Sequence, residues 1–160
     1  MDAWQVAMKM ERDGEKFYRG LAEKAVNPGL REIVNQLASD EAKHYEVFCN
    51  MQQSPGEYEK TALSTTDGNI FKQIIVKNTF DHLDTSQLEL YQKAMESEQQ
   101  SQEFYLAEAT RTQDPNQRNI YQRIAAEEEQ HYFLLHNIYE IMLRPQTWVE
   151  NGEFVHLDEY

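Results

Sequence analysis

The 160-residue chain carries 28 acidic against 15 basic side chains, which gives a formal net charge of −13. Such a charge argues against a surface that binds nucleic acid, and it suits either a protein that handles cations or simply a well-solvated acidic surface. The length predicts one domain over residues 1–160 with a sizeable buried core. Because Cys49 is the only cysteine, a disulfide, a Cys-x-x-Cys redox pair and a four-cysteine iron centre are excluded within the chain.

The N-terminal sequence MDAWQVAMKMERDGEKF is charged early and contains no apolar segment of the signal-peptide type. No stretch of the chain approaches the roughly 20 apolar residues that a membrane-spanning helix needs. We therefore expect a cytoplasmic protein that has neither a membrane nor a nucleic acid as its partner.

Hydrophobic periodicity and turn signals predict four long helices. The first runs from about Asp2 to Ala25 and the second from Pro28 to Gln53, where proline suits the first helical turn. The third begins near Asp84, in a cluster of good N-cap residues, and ends near Thr112. The fourth runs from Pro115 to Leu143 and stops before a proline.

Two further segments lie outside these helices. A connection of about thirty residues between the second and third helices contains NIFKQIIVKNTF (69–80), which fits a short helix or an extended crossing segment. Residues 144–160 are expected to form a short extension packed on the outside of the domain. Two short loops and one long crossover predict an all-α, ferritin-like four-helix bundle.

The chain also contains an internal repeat. The segment AMKMERDGEKFY (7–18) matches AMESEQQSQEFY (94–105), and the offset of 87 residues between them also relates DEAKHYEVF (40–48) to EEEQHYFLL (127–135). Each of the last two segments contains Glu-x-x-His. The first two helices are therefore repeated as the third and fourth.

Glutamate and histidine occupy positions that helix packing would give to leucine or isoleucine. Steps of three and four residues define the stripe that each bundle helix buries. In all four helices that stripe includes acidic or imidazole side chains: Glu11, Glu41, His44, Glu98, Glu128 and His131. Burying four carboxylates together costs several kcal/mol for each charge unless they are protonated, paired with cations or bound to metal.

Two divalent cations would balance those four carboxylates, since the neighbouring stripe positions carry no lysine or arginine. One Glu from each of two helices and Glu-x-x-His from each of the other two is the ligand set of a di-metal carboxylate site. A decayed site, or polar side chains that satisfy one another, is the alternative. The motif alone is weak: Glu153-x-x-His156 in the tail is a third example and lacks the helical context.

The mixed carboxylate and imidazole ligands, with no thiolate, favour two iron ions, with manganese or zinc as other occupants. Two ferrous ions match the charge of the four carboxylates. Tyr18 and Tyr105 lie seven residues beyond Glu11 and Glu98 on the same helix faces. They could hydrogen-bond the ligand carboxylates, or they could be core tyrosines that bond elsewhere.

With these residues in this order, the chain resembles the rubrerythrin family of ferritin-like proteins. The resemblance covers about Asp2 to Leu143 and rests on ERDGEKFY, DEAKHYEVF, ESEQQSQEFY and EEEQHYFLL, in that order. It implies that Glu41 and Glu128 bridge the two metals and are the catalytic carboxylates. It also implies the remaining ligands, with Glu11 and Glu98 as terminal carboxylates and His44 and His131 each facing one metal.

Rubrerythrins reduce hydrogen peroxide to water at a diferrous centre, and the chain departs from their pattern in two ways. It has no rubredoxin-like four-cysteine domain, so electrons would come from an external donor such as rubredoxin or a flavoprotein. The extra glutamate that typical members carry one turn after the third-helix ligand is Ser101 here. The usual exchange of ligands at that position is therefore not expected.

Three functions remain open on the sequence. The first is a di-iron oxidoreductase that reduces hydrogen peroxide or dioxygen. The second is a ferroxidase or another iron-handling protein, and the third is a helical interaction module whose metal is only structural. From the resemblance we also expect a homodimer, in which the long crossover could allow helices to be exchanged between partners.

Overall fold

The computed structural model describes residues 1–53, 68–80 and 83–143. These residues form helices α1 (Ala3–Lys24), α2 (Pro28–Gln53), α3 (Gly68–Lys77), α4 (Leu88–Arg111) and α5 (Pro115–Leu143), with a 3-10 turn over Thr85–Gln87. The described part of the chain contains no strand. The all-α prediction is confirmed, and residues 68–77 of the crossover form a helix. The expected C-terminal extension, with Glu153 and His156, lies outside the described residues.

Local hydrogen bonds explain where the first two long helices begin. The Asp2 side chain accepts a bond from the Gln5 backbone, and the Gln5 side chain accepts one from the Asp2 backbone, each at 3.0 Å. This reciprocal pair satisfies two backbone donors that a helix start leaves unpaired. The Asn27 side chain accepts from Leu30 N at 3.0 Å, and its amide donates to Thr79 O at 2.8 Å. Asn27 thus caps α2 and holds the end of the crossover.

The core consists of two apolar clusters at opposite ends of the bundle. One includes Ala7, Phe48, Tyr105 and Ile124, and the other includes Leu21, Leu37, Tyr91 and Leu135. Helices α1 and α5 run from the first cluster to the second, whereas α2 and α4 run the opposite way. Because α2 and α4 point in the same direction, the segment that joins them has to travel the length of the bundle. That geometry explains the long crossover.

The crossover packs on the second cluster, where Phe71 and Ile74 of α3 are buried. Gly29, in the first turn of α2, permits the close contact at its end. A Cβ atom at Gly29 would lie 2.7 Å from Asn78 Cβ and 2.8 Å from Phe80 Cζ, closer than real side chains approach. Glycine at this position therefore lets the crossover settle against the bundle.

A polar layer separates the two apolar clusters. Each of the four long helices contributes to it midway along its length, between residues that belong to one cluster and residues that belong to the other. The buried charged residues of this layer are Glu11, Asp40, Glu41, His44, Glu98, Glu128 and His131. The polar layer therefore lies between two apolar clusters, one on the side of each end of the bundle.

Candidate metal centre

The six residues expected from the sequence to bind metal come together in this layer. Helices α1 and α4 each supply one glutamate, and α2 and α5 each supply a glutamate and a histidine. All six side chains are nearly inaccessible, with exposed fractions between 1% and 4%. Carboxylates at such depth require protons, counter-charges or cations. The bundle therefore places these four glutamates where solvent screens their charges only weakly.

The ligand atoms fall into two overlapping groups. One group is Glu11, Glu41, His44 and Glu128, and the other is Glu41, Glu98, Glu128 and His131. Within each group one ligand atom from every residue lies within 4.8 Å of the others. Glu41 and Glu128 belong to both groups. They occupy the position that carboxylates shared between two neighbouring cations would have.

His44 presents one ring nitrogen to the cluster and the other to an outer carboxylate. Its Nδ1 lies 3.3 Å from Glu11 Oε2 and 3.1 Å from Glu128 Oε1. Its Nε2 lies 3.0 Å from Glu127 Oε2. When Nε2 carries the proton and donates it to Glu127, the lone pair of a neutral ring remains on Nδ1. That lone pair faces the glutamates, as a metal ligand requires.

His131 has the same arrangement in the other half of the repeat. Its Nδ1 lies 3.3 Å from both Glu41 Oε1 and Glu98 Oε1. Its Nε2 lies 2.9 Å from Asp40 Oδ2, while the other oxygen of Asp40 accepts a bond from the Gln36 amide at 3.0 Å. The ring is therefore fixed from outside, with Nδ1 directed inward.

Asp40 and Glu127 were not identified from the sequence as part of the site. They are equivalent positions of the repeat, 87 residues apart, and each directly precedes the glutamate of a Glu-x-x-His motif. The acidic residue that precedes each motif could have identified these two positions from the sequence. Each holds the histidine of the opposite half, so the pair links α2 to α5. Carboxylates of this kind fix the ring orientation and increase the basicity of a ligating histidine.

Tyrosine hydroxyls hold Glu11 and Glu98, each of which belongs to only one of the two ligand groups. The Tyr18 hydroxyl donates to Glu98 Oε1, and the Tyr105 hydroxyl donates to Glu11 Oε1 at 2.5 Å. Both bonds cross between α1 and α4, so each half again supports the ligand of the other. The sequence left two interpretations open for these tyrosines. In the structure, both hydroxyls bond carboxylates of the site.

Several atoms of the cluster have no hydrogen-bond partner in the described part of the chain: Glu41 Oε1, Glu98 Oε2, Glu128 Oε1 and His131 Nδ1. Glu128 Oε1 lies 3.1 Å from His44 Nδ1, but this contact lacks the geometry of a hydrogen bond. The same is true of Glu41 Oε1, which lies 3.3 Å from His131 Nδ1. Unpaired buried polar atoms are costly, and these four all lie in the two ligand groups. A site formed by carboxylate oxygens and imidazole nitrogens suits divalent iron or manganese.

The pKa values show how protons balance the cluster without a cation. Burial and then the carboxylates beside them raise the pKa of both Glu41 and Glu128 well above the ordinary glutamate value. Burial opposes the charge of Glu11 as well, but the adjacent His44 lowers the pKa of Glu11 overall. The two bridging candidates therefore take up protons first, which is the state that cations would replace.

The histidines respond in the complementary way. Burial disfavours a charged imidazole, yet Glu11 raises the pKa of His44 well above its ordinary value. Glu98, followed by Asp40, does the same for the pKa of His131. Without metal, both rings therefore carry positive charge beside the carboxylates. A cation that binds Nδ1 has to displace that proton.

The fold and the site define a ferritin-like bundle protein with a carboxylate-rich candidate di-metal centre. The family model described as Rubrerythrin matches residues 2–139, so the chain belongs to the rubrerythrin family. A solved structure named "Hypothetical Protein Pfu-1136390-001 From Pyrococcus furiosus" has a similar fold, with a TM-score of 0.66, 24% identity and coverage of 89% of each chain. No curated protein sequence matches the chain significantly. None of the described helices is long and apolar enough to cross a membrane.

Proposed function

We propose that this protein is a non-haem di-iron oxidoreductase that reduces hydrogen peroxide, or dioxygen, with electrons from an external donor such as rubredoxin or a flavoprotein. The observation that carries the proposal is the pair of overlapping ligand groups that share Glu41 and Glu128. Membership of the rubrerythrin family supports it. A cytoplasmic location and a homodimer, with or without exchanged helices, are parts of the same proposal.

In this proposal Glu41 and Glu128 would help to hold both metal ions, and each of the other four residues would help to hold one of them. Two ferrous ions together supply the two electrons that reduction of one peroxide to water requires. Tyr18 and Tyr105 keep Glu98 and Glu11 in place, because each hydroxyl donates to only one oxygen of its glutamate. Asp40 and Glu127 hold the Nε2 protons of the histidines, so that Nδ1 stays available.

Ser101 bears on how the ligand set behaves during reduction. It is buried, with 8% of its surface exposed, and lies one turn beyond Glu98 on α4. A serine hydroxyl is too short to take part in a carboxylate exchange of the kind that the family resemblance describes. We infer that the six ligands stay the same in both oxidation states.

Iron handling is the second candidate. An open cleft reaches the shared carboxylates, and Asp13 lies among the residues that line it. The glutamates at the inner end of this cleft would attract a ferrous ion that enters as a substrate. A ferroxidase would bind iron, oxidise it with dioxygen and release it, whereas the proposed peroxide reductase would retain its iron.

The two candidates separate in an anaerobic experiment. Metal-free protein is loaded with ferrous iron, excess iron is removed, and oxidation is followed optically after mixing with hydrogen peroxide or, separately, with dioxygen. The proposal predicts faster oxidation by peroxide, with iron retained through repeated cycles of reduction. Faster oxidation by dioxygen together with release of ferric iron would overturn it in favour of iron handling.

A matched pair of variants ties the reaction to the site. Glu128→Gln removes a charge that belongs to both ligand groups, and it should abolish rapid oxidation by either reagent. Glu129→Gln makes the same change at the next position of α5, which is exposed and belongs to neither ligand group, and it should react as the unaltered protein does. Equal rates for both variants would place the reaction elsewhere.

A further inference from the structure

A cleft between α1 and α4 leads from the surface to the carboxylate cluster. Its volume is about 380 Å³, and Glu41, Glu98 and Glu128 lie at its inner end. That volume lies within the range of sites that bind small organic molecules. A water molecule occupies roughly 30 Å³ of liquid volume, and hydrogen peroxide is only slightly larger. The cleft is therefore much larger than hydrogen peroxide or dioxygen requires.

The lining of the cleft includes four largely apolar side chains, those of Met10, Phe17, Tyr18 and Ala94. The outer residues are Asp13, Lys93, Ser97 and Gln100. One acidic and one basic side chain at the mouth give no preference for a charged ligand. An uncharged molecule with a hydrocarbon part suits these walls best.

Two small residues keep the inner end open. Gly14 on α1 and Ser101 on α4 are equivalent positions of the repeat, and both line the cleft. A Cβ atom at Gly14 would lie only 2.8 Å from Glu41 Oε2. The absence of that atom leaves this carboxylate oxygen facing the cleft. A reactive group at the inner end can therefore approach the shared carboxylates directly.

We propose that the cleft takes a neutral organic hydroperoxide, with its O–O group at Glu41 and Glu128 and its hydrocarbon part against Phe17 and Met10. The proposal rests on the peroxide-reducing function and names its substrate class. The O–O bond breaks as it takes up two electrons from the ferrous pair, which becomes diferric, and two protons from the bulk solvent. The products are one alcohol and one water molecule, and the external donor restores the electrons.

The first test measures binding alone, on metal-free protein. The probe is 2-phenyl-2-propanol, the alcohol that corresponds to cumene hydroperoxide and that cannot itself be reduced. The methyl resonances of Met10 and Ala94 should shift in a saturable manner on titration, because both residues line the cleft. A flat titration at both methyl groups would overturn the proposal.

Ser97→Phe supplies the variant for this titration. Ser97 is exposed at the mouth of the cleft, so a phenyl ring there should reduce the space without disturbing the core. Gln99→Phe is the matched control, since Gln99 is also exposed on α4 and is not one of the cleft residues. Ser97→Phe should weaken binding of the alcohol by about tenfold or more, and Gln99→Phe should leave it unchanged. Equal binding in both variants would contradict the proposed location.

The second test compares oxidation of the ferrous protein by cumene hydroperoxide and by hydrogen peroxide. The ratio of the two rates should fall about tenfold or more in Ser97→Phe and should stay the same in Gln99→Phe. Oxidation by hydrogen peroxide without oxidation by cumene hydroperoxide would overturn this inference and leave the proposed function intact. Failure of both peroxides to oxidise the protein would overturn the proposed function itself.

Discussion

Asp40 Oδ2 and His131 Nε2 lie 2.9 Å apart, although the two residues are 91 positions apart in the chain and belong to different halves of the repeat. Both are almost completely buried. The equivalent pair, Glu127 and His44, is separated by 3.0 Å. Each half of the repeat therefore orients the histidine of the other half, and the candidate centre depends on correct pairing of α2 with α5.

Asp40→Asn should weaken metal binding at the group that contains His131. The change removes the charge that orients the ring and increases its basicity, and losses of about 10- to 100-fold in affinity are typical for such partners. Competition with a chelator measures the affinity for ferrous iron or zinc. Asp114→Asn is a suitable control, because Asp114 caps α5 and asparagine caps a helix equally well. Unchanged affinity in Asp40→Asn would remove Asp40 from the account.

Tyr105→Phe should destabilise the metal-free protein by about 1–3 kcal/mol, because Glu11 Oε1 loses a donor at a buried position. The loss should be smaller with metal bound, since the cation satisfies the carboxylate. Chemical unfolding with and without zinc measures both values. Tyr132→Phe serves as the control, because Tyr132 is partly exposed and stacks on His136 outside the site. Equal losses with and without metal would argue against a ligand role for Glu11.

The metal-free protein should lose stability as pH rises. Folding raises the pKa of Glu41 and Glu128 above their ordinary 4.5, through burial and neighbouring carboxylates. It also raises the pKa of His44 and His131 above 6.5. The folded state therefore binds these protons more tightly than the unfolded state, and their contribution declines as pH rises from about 4.5 through the raised pKa values.

Glu11 acts in the opposite direction, since its pKa is lowered and its contribution is lost only as pH falls below the ordinary value of 4.5. The melting temperature of the metal-free protein should consequently decrease between about pH 5 and pH 9. With metal bound it should increase over the same interval, because the ligands must lose their protons to bind. Parallel trends with and without metal would contradict the proposed ligand set.

Gly14→Ala should stabilise the fold and weaken the metal site. Alanine is favoured over glycine within a helix by about 0.5–1 kcal/mol. The new methyl group would meet Glu41 Oε2 at 2.8 Å, so the carboxylate has to move. Gly20→Ala is the matched control on the same helix, because a Cβ atom there meets nothing within 4 Å. Thermal unfolding measures the change in stability, and metal titration measures the affinity of each variant for metal. Equal metal affinity in Gly14→Ala and Gly20→Ala would argue against a role for Glu41 in the site.

The sequence predicted the long helices well, because their apolar stripes and end signals are local. The bounds Pro28–Gln53 and Pro115–Leu143 agree with the structure. The segment 69–80 remained ambiguous between helix and extended chain, since a short apolar run rich in isoleucine and valine fits both. Tertiary packing of Phe71 and Ile74 on the second cluster accompanies the helical form.

Within the site, spacing identified which residues face the core but not which atoms meet. Helical periodicity placed Tyr105 on the same face as Glu98, whereas its hydroxyl bonds Glu11 on another helix. For the same reason Asp40 was missed, since its partner His131 lies on α5. The cleft could not be predicted from the sequence, because it depends on the space that Gly14 and Ser101 leave between two helices.

The central claim is that two metal ions share Glu41 and Glu128, and the most direct measurement is anaerobic iron stoichiometry in three proteins. The unaltered chain should bind two ferrous ions. Glu98→Gln, which affects only one ligand group, should retain one tightly bound ion, whereas Glu128→Gln should lose both, because that residue belongs to both groups. One iron in the unaltered chain, or equal losses in the two variants, would contradict the account.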